Sequence, residues 1–278
     1  MSRRVRTASS VVAFLGALLL ALVLAVPFLW MISISLQPDA TAVFRPGGSL
    51  LPLVPRFQNY PDAIARIQMG RLFQNTMLLV VSNMLIGISA SILVAYGFAR
   101  FRARASASLF YVLLATMMLP WVVTMVPAYV LFLRLGWLGT FLPLIAPSIG
   151  GSAFYVFMLR QTFLAIPREL DEAAFLDGCG RARILWSILL PQCKPILATL
   201  VIFSFSGTWS DFVGPSIYLT DPKMHTLSIG LQYFRSTMSV MPWQLVMAAC
   251  TLFAVPMVVV MFSAQNAFTR GIVTTGLK

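Results

Sequence analysis

Charge is missing from this chain over long intervals. None occurs between Arg6 and Asp39, Arg71 and Arg100, Arg104 and Arg134, Arg134 and Arg160, or Arg235 and Arg270. A sixth interval, Lys194 to Asp221, is interrupted only by Asp211. Each can hold the roughly 20 apolar residues that a helix needs to cross a hydrocarbon core. The pattern predicts spans near 11–33, 74–98, 108–132, 141–162, 196–219 and 244–266. The expected class is all-α, a polytopic membrane protein with six transmembrane helices. The first run follows MSRRVRTASS, a start that signal peptides share. It exceeds their apolar core of roughly 7–15 residues and no A-x-A cleavage site follows, so an uncleaved helix is expected.

Composition agrees with the pattern. Of 278 residues, 59% are hydrophobic and 10% charged, with a mean hydropathy of +0.87. Soluble domains carry about 25% charged residues. The net charge of +12 is spread between apolar runs and forms no patch, which argues against nucleic acid and for loop positives beside a lipid bilayer. With the N-terminus inside, thirteen Lys and Arg fall on the cytoplasmic side and seven outside, and six spans return the C-terminus to the cytoplasm. Cys179, Cys193 and Cys250 follow no disulfide or metal spacing. Two outer stretches, 36–72 and 220–243, are long enough to serve as docking surfaces or to be solvated connectors.

One cytoplasmic stretch breaks the apolar pattern. Residues 169–195, ELDEAAFLDGCGRARILWSILLPQCKP, hold Glu169, Asp171, Glu172 and Asp177, half of the chain's eight acids. Pro167 suits a first helical position, and acids in the first turns match the positive end of the helix dipole. Gly178 is placed to stop that helix in the left-handed conformation. Leu170, Ala173 and Ala174 are expected on one face, with small side chains that admit a close partner. A second helix is expected from Arg181 to Leu190, ending ahead of Pro191. Interfacial amphipathic helices carry basic polar faces, and this one is acidic, so lipid headgroups suit it poorly.

Glu172-Ala173-Ala174, three residues, Gly178, nine residues, then Ile188-x-Leu190-Pro191 resembles the EAA loop of binding-protein-dependent ABC importer permeases. TWSDFVGPSIYLTDPKMHTLSIGL (208–231), the span with Pro256 and FTRGIVTTGLK (268–278) resemble the carbohydrate-uptake, maltose-type branch. FQNY (57–60) and FQNT (73–76) are similar to that branch's lead-in to the second helix, with Thr76 where Ser is common. The resemblance implies a cytoplasmic N-terminus (1–10), a first helix and outer loop (11–73), an importer core (74–266) with a coupling segment (165–191), and a cytoplasmic tail (267–278). It implies that Glu172, Ala173, Ala174, Gly178, Ile188, Leu190 and Pro191 form a coupling helix and turn that dock on an ATP-binding subunit. ATP and Mg are then expected on that partner and no cofactor on this chain. The implied assembly has a second homologous permease, two ATP-binding subunits and an extracytoplasmic sugar-binding protein, in a bacterial-type inner membrane.

Little else competes. No phosphate loop of the form G-x-x-x-x-G-K-[ST] occurs, and His225 is the only histidine, so no catalytic machinery is expected. Five residues are candidates for the substrate pathway: Asn83, Ser206, Thr208, Trp209 and Asp211. Asp211 either offers its carboxylate to cargo or caps local backbone, and Asn83 either lines a path or bonds a neighbouring helix. The Gly and Pro residues in the spans suit close packing and kinks. The sequence reading is thus a sugar importer permease, with an importer for a polyol phosphate, amino acid or peptide as the alternative. A stand-alone carrier or channel is a further alternative, although it gives the EAA spacing no purpose.

Overall fold

The computed structural model describes residues 2–40, 49, 51–101, 103–236 and 241–275, with side chains described at 11, 13–40, 49, 51–101, 103–234 and 241–263. The resembling tail 268–278, the ends 1–10 and 267–278, and part of the outer stretch 36–72 therefore lie wholly or partly outside the residues described at side-chain level.

Every regular element among the described residues is helical. Helix α1 (Ser2–Ser35) is followed by α2 (Asn59–Arg66), α3 (Met69–Arg100), α4 (Ser106–Thr116) and α5 (Trp121–Arg134). Then come α6 (Leu142–Ile145), a 3-10 turn (Ala146–Gly150), α7 (Ala153–Ala165) and α8 (Glu169–Leu176). Helix α9 (Arg181–Ile184) continues through a π-helical stretch (Leu185–Leu189) into α10 (Leu190–Gln192). The rest is α11 (Lys194–Trp209), α12 (Val213–Tyr218), a second 3-10 turn (Pro222–Met224), α13 (Leu227–Gly230), α14 (Tyr233–Ser236) and α15 (Trp243–Thr275).

Four stretches are long and apolar enough to cross a membrane: Ala13–Ser35, Met69–Arg100, Leu142–Ala165 and Trp243–Ser263. The total reaches six if each of two bent pairs crosses as one span. The expected span 108–132 is not straight: α4 and α5 meet at 97°. Pro120, extended at φ −61° and ψ 133°, lacks an N–H and steers Leu119 away from helical angles. The expected span 141–162 is also interrupted, because Gly151 takes φ +71° and Ser152 is extended before α7 begins. The expected span 196–219 is broken after Trp209, before α12 begins at Val213, and Arg181–Gln192 meets α11 at 85°.

The chain divides into two compact units. One comprises Met1–Met69 with Leu231–Val255. Here the Asn59 amide donates to the Ser35 and Gln37 carbonyls, both at 2.8 Å, and the Tyr60 and Ser35 hydroxyls lie 2.8 Å apart. These bonds hold the start of α2 against the end of α1.

The other unit comprises Gly70–Gly230 with Pro256–Lys278. Its core is built from Ile88, Ile92, Ala95, Tyr96 and Ala99 of α3, Val156, Leu159 and Phe163 of α7, and Ile184, Leu185, Leu189, Leu190 and Leu200 beyond. Small and branched side chains let the helices approach closely, so packing contacts rather than exclusion of water hold such a core in lipid. The Asn75 amide repeats what Asn59 does, donating to the Lys223 and His225 carbonyls at 2.9 Å each. Thr76 accepts from the Leu227 N–H at 2.8 Å.

Candidate functional site

The polar insert forms a short projecting helix with a defined seat. The α8 sequence carries Glu169, Asp171 and Glu172 in its first turn, where the dipole favours them. Pro167 stands outside that turn, since Arg168 caps the helix and accepts from the Glu172 N–H at 3.0 Å. At the far end the Cys179 N–H donates to the Ala174 carbonyl at 2.9 Å and the Gly178 N–H to Phe175 at 3.0 Å. With Gly178 at φ +79°, this is the paired hydrogen-bond ending that a left-handed glycine provides.

The faces of α8 sort differently from the expected grouping of Leu170, Ala173 and Ala174. Ala174 turns inward and joins the core, while Leu170, Glu172 and Ala173 are exposed. The inward partner of Ala174 is Asp171, one turn earlier, whose Oδ2 lies 2.7 Å from Arg100 Nε at the end of α3. Both side chains are nearly buried, at 6% exposure for Arg100 and 12% for Asp171. Arg100 also donates to the Ile166 carbonyl at 3.1 Å, and Arg168 donates to the Ala99 carbonyl at 3.3 Å. The two ends are thereby cross-tied, and α8 is fixed to the end of α3. Asp171 read along the sequence is one more dipole-matching acid; its ion pair is visible only once α3 is placed.

Outward, α8 presents Glu169, Leu170, Glu172, Ala173, Phe175 and Leu176, with Leu176 90% exposed. Phe175 beside it is 49% exposed, so the tip of the helix carries two adjacent uncovered apolar side chains. The following helix does not end ahead of Pro191 but runs to Gln192. Proline removes one backbone donor and crowds the carbonyl four residues back, and the π turn over Leu185–Leu189 relieves that clash by widening the helix. Ile188 is half-buried, Leu190 buried and Pro191 exposed.

The five pathway candidates do not form one site. Trp209 is buried, stacked on Phe205 with centroids 5.4 Å apart and set edge-on to Phe73. Asp211 caps the turn into α12, where its Oδ1 accepts from the Gly214 N–H at 3.1 Å. A Cβ on Gly214 would stand 2.6 Å from the other carboxylate oxygen. Ser206 is half-buried and does not line the cavity that holds Asn83 and Thr208. Those two share about 310 Å³ with Ser148, Ser152, Tyr155 and Ser204, none of which stood out in the sequence. Ser148 donates to Asn83 Oδ1 at 2.6 Å, and the Ser152 N–H donates to Ser91 Oγ at 3.0 Å. A Cβ on Gly151 would lie 2.9 Å from that same Ser91 Oγ, so glycine is required there by space as well as by φ. The signal in the sequence was the clustering of Gly and Ser around 148–152 inside an apolar run.

A family profile described as "binding-protein-dependent transport system inner membrane component" matches residues 84–274. The chain belongs to this family. The match includes α8 and its Gly178 turn, so the permease carries its projecting helix inside the region that defines the family. The permease is 31% identical over 271 residues to the probable ABC transporter permease protein YurM of Bacillus subtilis, covering 97% of this chain and 88% of that one. It is 31% identical over 229 residues to the probable starch degradation products transport system permease protein AmyC of Thermoanaerobacterium thermosulfurigenes, covering 82% and 83%. It is also 31% identical over 278 residues to the sn-glycerol-3-phosphate transport system permease protein UgpE of Brucella abortus, covering 97% and 98%. The crystal structure of a bacterial ABC transporter involved in importing the acidic polysaccharide alginate superposes with a TM-score of 0.83 at 22% identity, covering 96% of this chain and 99% of that one. This places the permease fold beyond question. The protein is a multi-pass inner-membrane transport component, and its family works with a binding protein and an ATPase.

Proposed function

We propose that this permease forms half of the translocation pathway for a sugar or oligosaccharide. The assembly would have a second homologous permease, two ATP-binding subunits that carry ATP and Mg, and an extracytoplasmic sugar-binding protein. The chain crosses the membrane six times with both termini cytoplasmic, each bent pair counting as one crossing. The exposed tip of α8 carries this reading: Leu176 is 90% exposed and Phe175 49% exposed, beside Glu172, on a helix that Asp171 and Arg100 tie to a spanning helix. An ATP-binding subunit that covers Glu172, Ala173, Phe175 and Leu176 would gain apolar contact and a lever. Closure of that subunit would move α8, and the tie through Arg100 would pass the movement to α3. Gly178 and the turn through Ile188, Leu190 and Pro191 set the angle of the lever. AmyC favours a neutral oligosaccharide as cargo. UgpE favours a second reading, a polyol phosphate.

The test uses the reconstituted complex. Glu172→Lys and Leu176→Glu are expected to lower ATP-dependent uptake at least tenfold while the chain remains inserted. The ATP-binding subunit should no longer co-purify. Wild-type uptake and co-purification in both variants would show that α8 is not the lever.

A further inference from the structure

The cavity shared by Asn83 and Thr208 differs in chemistry from two others among the described residues. Those are walled almost entirely by apolar side chains such as Pro27, Trp30 and Leu29. This one carries Asn83, Ser148, Ser152, Tyr155, Ser204 and Thr208, each with a side-chain amide or hydroxyl. No Lys, Arg, His, Asp or Glu lines it.

Its place in the fold makes that polarity costly. Asn83 lies midway along the apolar helix α3. The wall opposite is the interruption between the 3-10 turn ending at Gly150 and the start of α7, where the backbone leaves the helical path. At membrane depth, irregular backbone and clustered polar groups persist only where they are buried in protein or line a cavity. An internal bond uses part of the capacity: Ser148 donates to Asn83 Oδ1. The Asn83 nitrogen keeps two N–H donors, and every hydroxyl keeps acceptor capacity. The rings of Tyr155 and Phe203 add apolar faces to the same wall.

Donors and acceptors mixed with ring faces suit a compound that is itself both donor and acceptor along its edges and apolar on its C–H faces. A pyranose has that character. An anion does not fit. A phosphate, carboxylate or sulfonate taken from water needs a cationic partner in such a site, and the wall supplies none. We infer that this cavity is a saccharide subsite of the pathway that accepts uncharged rings and excludes anionic ones, with Asn83, Tyr155, Ser204 and Thr208 as the specificity-determining contacts. The inference rests on the importer reading and selects the neutral cargo over the polyol phosphate.

Proteoliposomes containing the complete complex separate the two. The probes are radiolabelled maltotriose, cellotriose, xylotriose and raffinose against sn-glycerol 3-phosphate and trigalacturonate. ATP-dependent uptake of at least one neutral probe, at a rate at least tenfold above both anions, is the expected result. Uptake of an anion at a comparable rate overturns the subsite and leaves the importer standing. No ATP-dependent uptake of any probe by an assembled complex overturns both. With the best neutral probe, Tyr155→Phe combined with Thr208→Ala should lower uptake per ATP hydrolysed about tenfold, the loss of one or two hydrogen bonds. Unchanged coupling overturns the subsite. Should that double variant fail to assemble, Thr208→Cys in a chain with Ser at 179, 193 and 250 replaces it. Its reaction with a water-soluble methanethiosulfonate should be slowed by the transported saccharide and not by sn-glycerol 3-phosphate. A thiol that is unreactive, or that the saccharide leaves unprotected, overturns the proposal.

Discussion

At Gly178 a single dihedral angle decides whether a helix can end where it does. The residue has φ +79°, and a Cβ built on it would meet nothing within 4 Å. Substitution there costs only backbone strain. Gly178→Ala should destabilise the turn by about 1–2 kcal/mol, and Gly178→Asn by less, since Asn tolerates the left-handed region. Gly178→Val should lose more than either. Thermal unfolding of the purified permease, read beside uptake, checks the order Asn, Ala, Val; equal losses for all three would point to a contact rather than to φ. This glycine was legible in the sequence because a left-handed stop follows from residue type and position alone. Asp211 was not. A lone acid in an apolar run announces its cost but not its partner, and only the fold shows the carboxylate capping Gly214. Trp209, attractive as a ring for a sugar to stack on, proves to be packed among Phe205 and Phe73.

Among the elements, α8 shows how far pattern reading reaches. Its acidic start and its glycine end were readable; its inward face was not, because Asp171 looks like its neighbours until Arg100 arrives from α3. Removing one partner strands the other charge in a nearly dry site. Asp171→Ala should therefore destabilise the complex by about 3–5 kcal/mol, whereas Arg100→Met with Asp171→Leu, which removes both charges, should recover much of that. Chemical denaturation of the two variants checks the difference, and equal losses would deny the pair its role. Charge-free intervals pointed to the four long apolar helices and to the two bent pairs but missed the bends. A window of apolar residues measures length, and whether a proline breaks a helix depends on what satisfies the freed carbonyls. Pro127 and Pro256 sit inside α5 and α15, Pro191 is absorbed by a π turn, and Pro120 ends in a 97° bend.

For the molecule as a whole, the proposed orientation rests on the bias of positive loops and can be tested from each side of the membrane. Leu53→Cys, at a position 90% exposed in the expected outer stretch, should react with an impermeant thiol reagent in intact cells. Leu176→Cys, in a chain with Ser at 179, 193 and 250 and without the ATP-binding subunit, should react only in inverted vesicles; labelling of both from the same side would reject the six-crossing arrangement. The bare tip of α8 also bears on how the protein is made. Phe175, Leu176 and Trp186 stay 49%, 90% and 57% uncovered in the isolated chain. With α8 docked on an ATP-binding subunit as proposed, a newly synthesised copy without that subunit would display to the cytosol the kind of greasy knob that quality-control proteases bind. Under the proposed docking, the same surface would also meter the protein's abundance. In pulse-chase measurements the chain should decay several-fold faster in cells that lack the ATP-binding subunit, and Leu176→Ser should lengthen the life of those orphans.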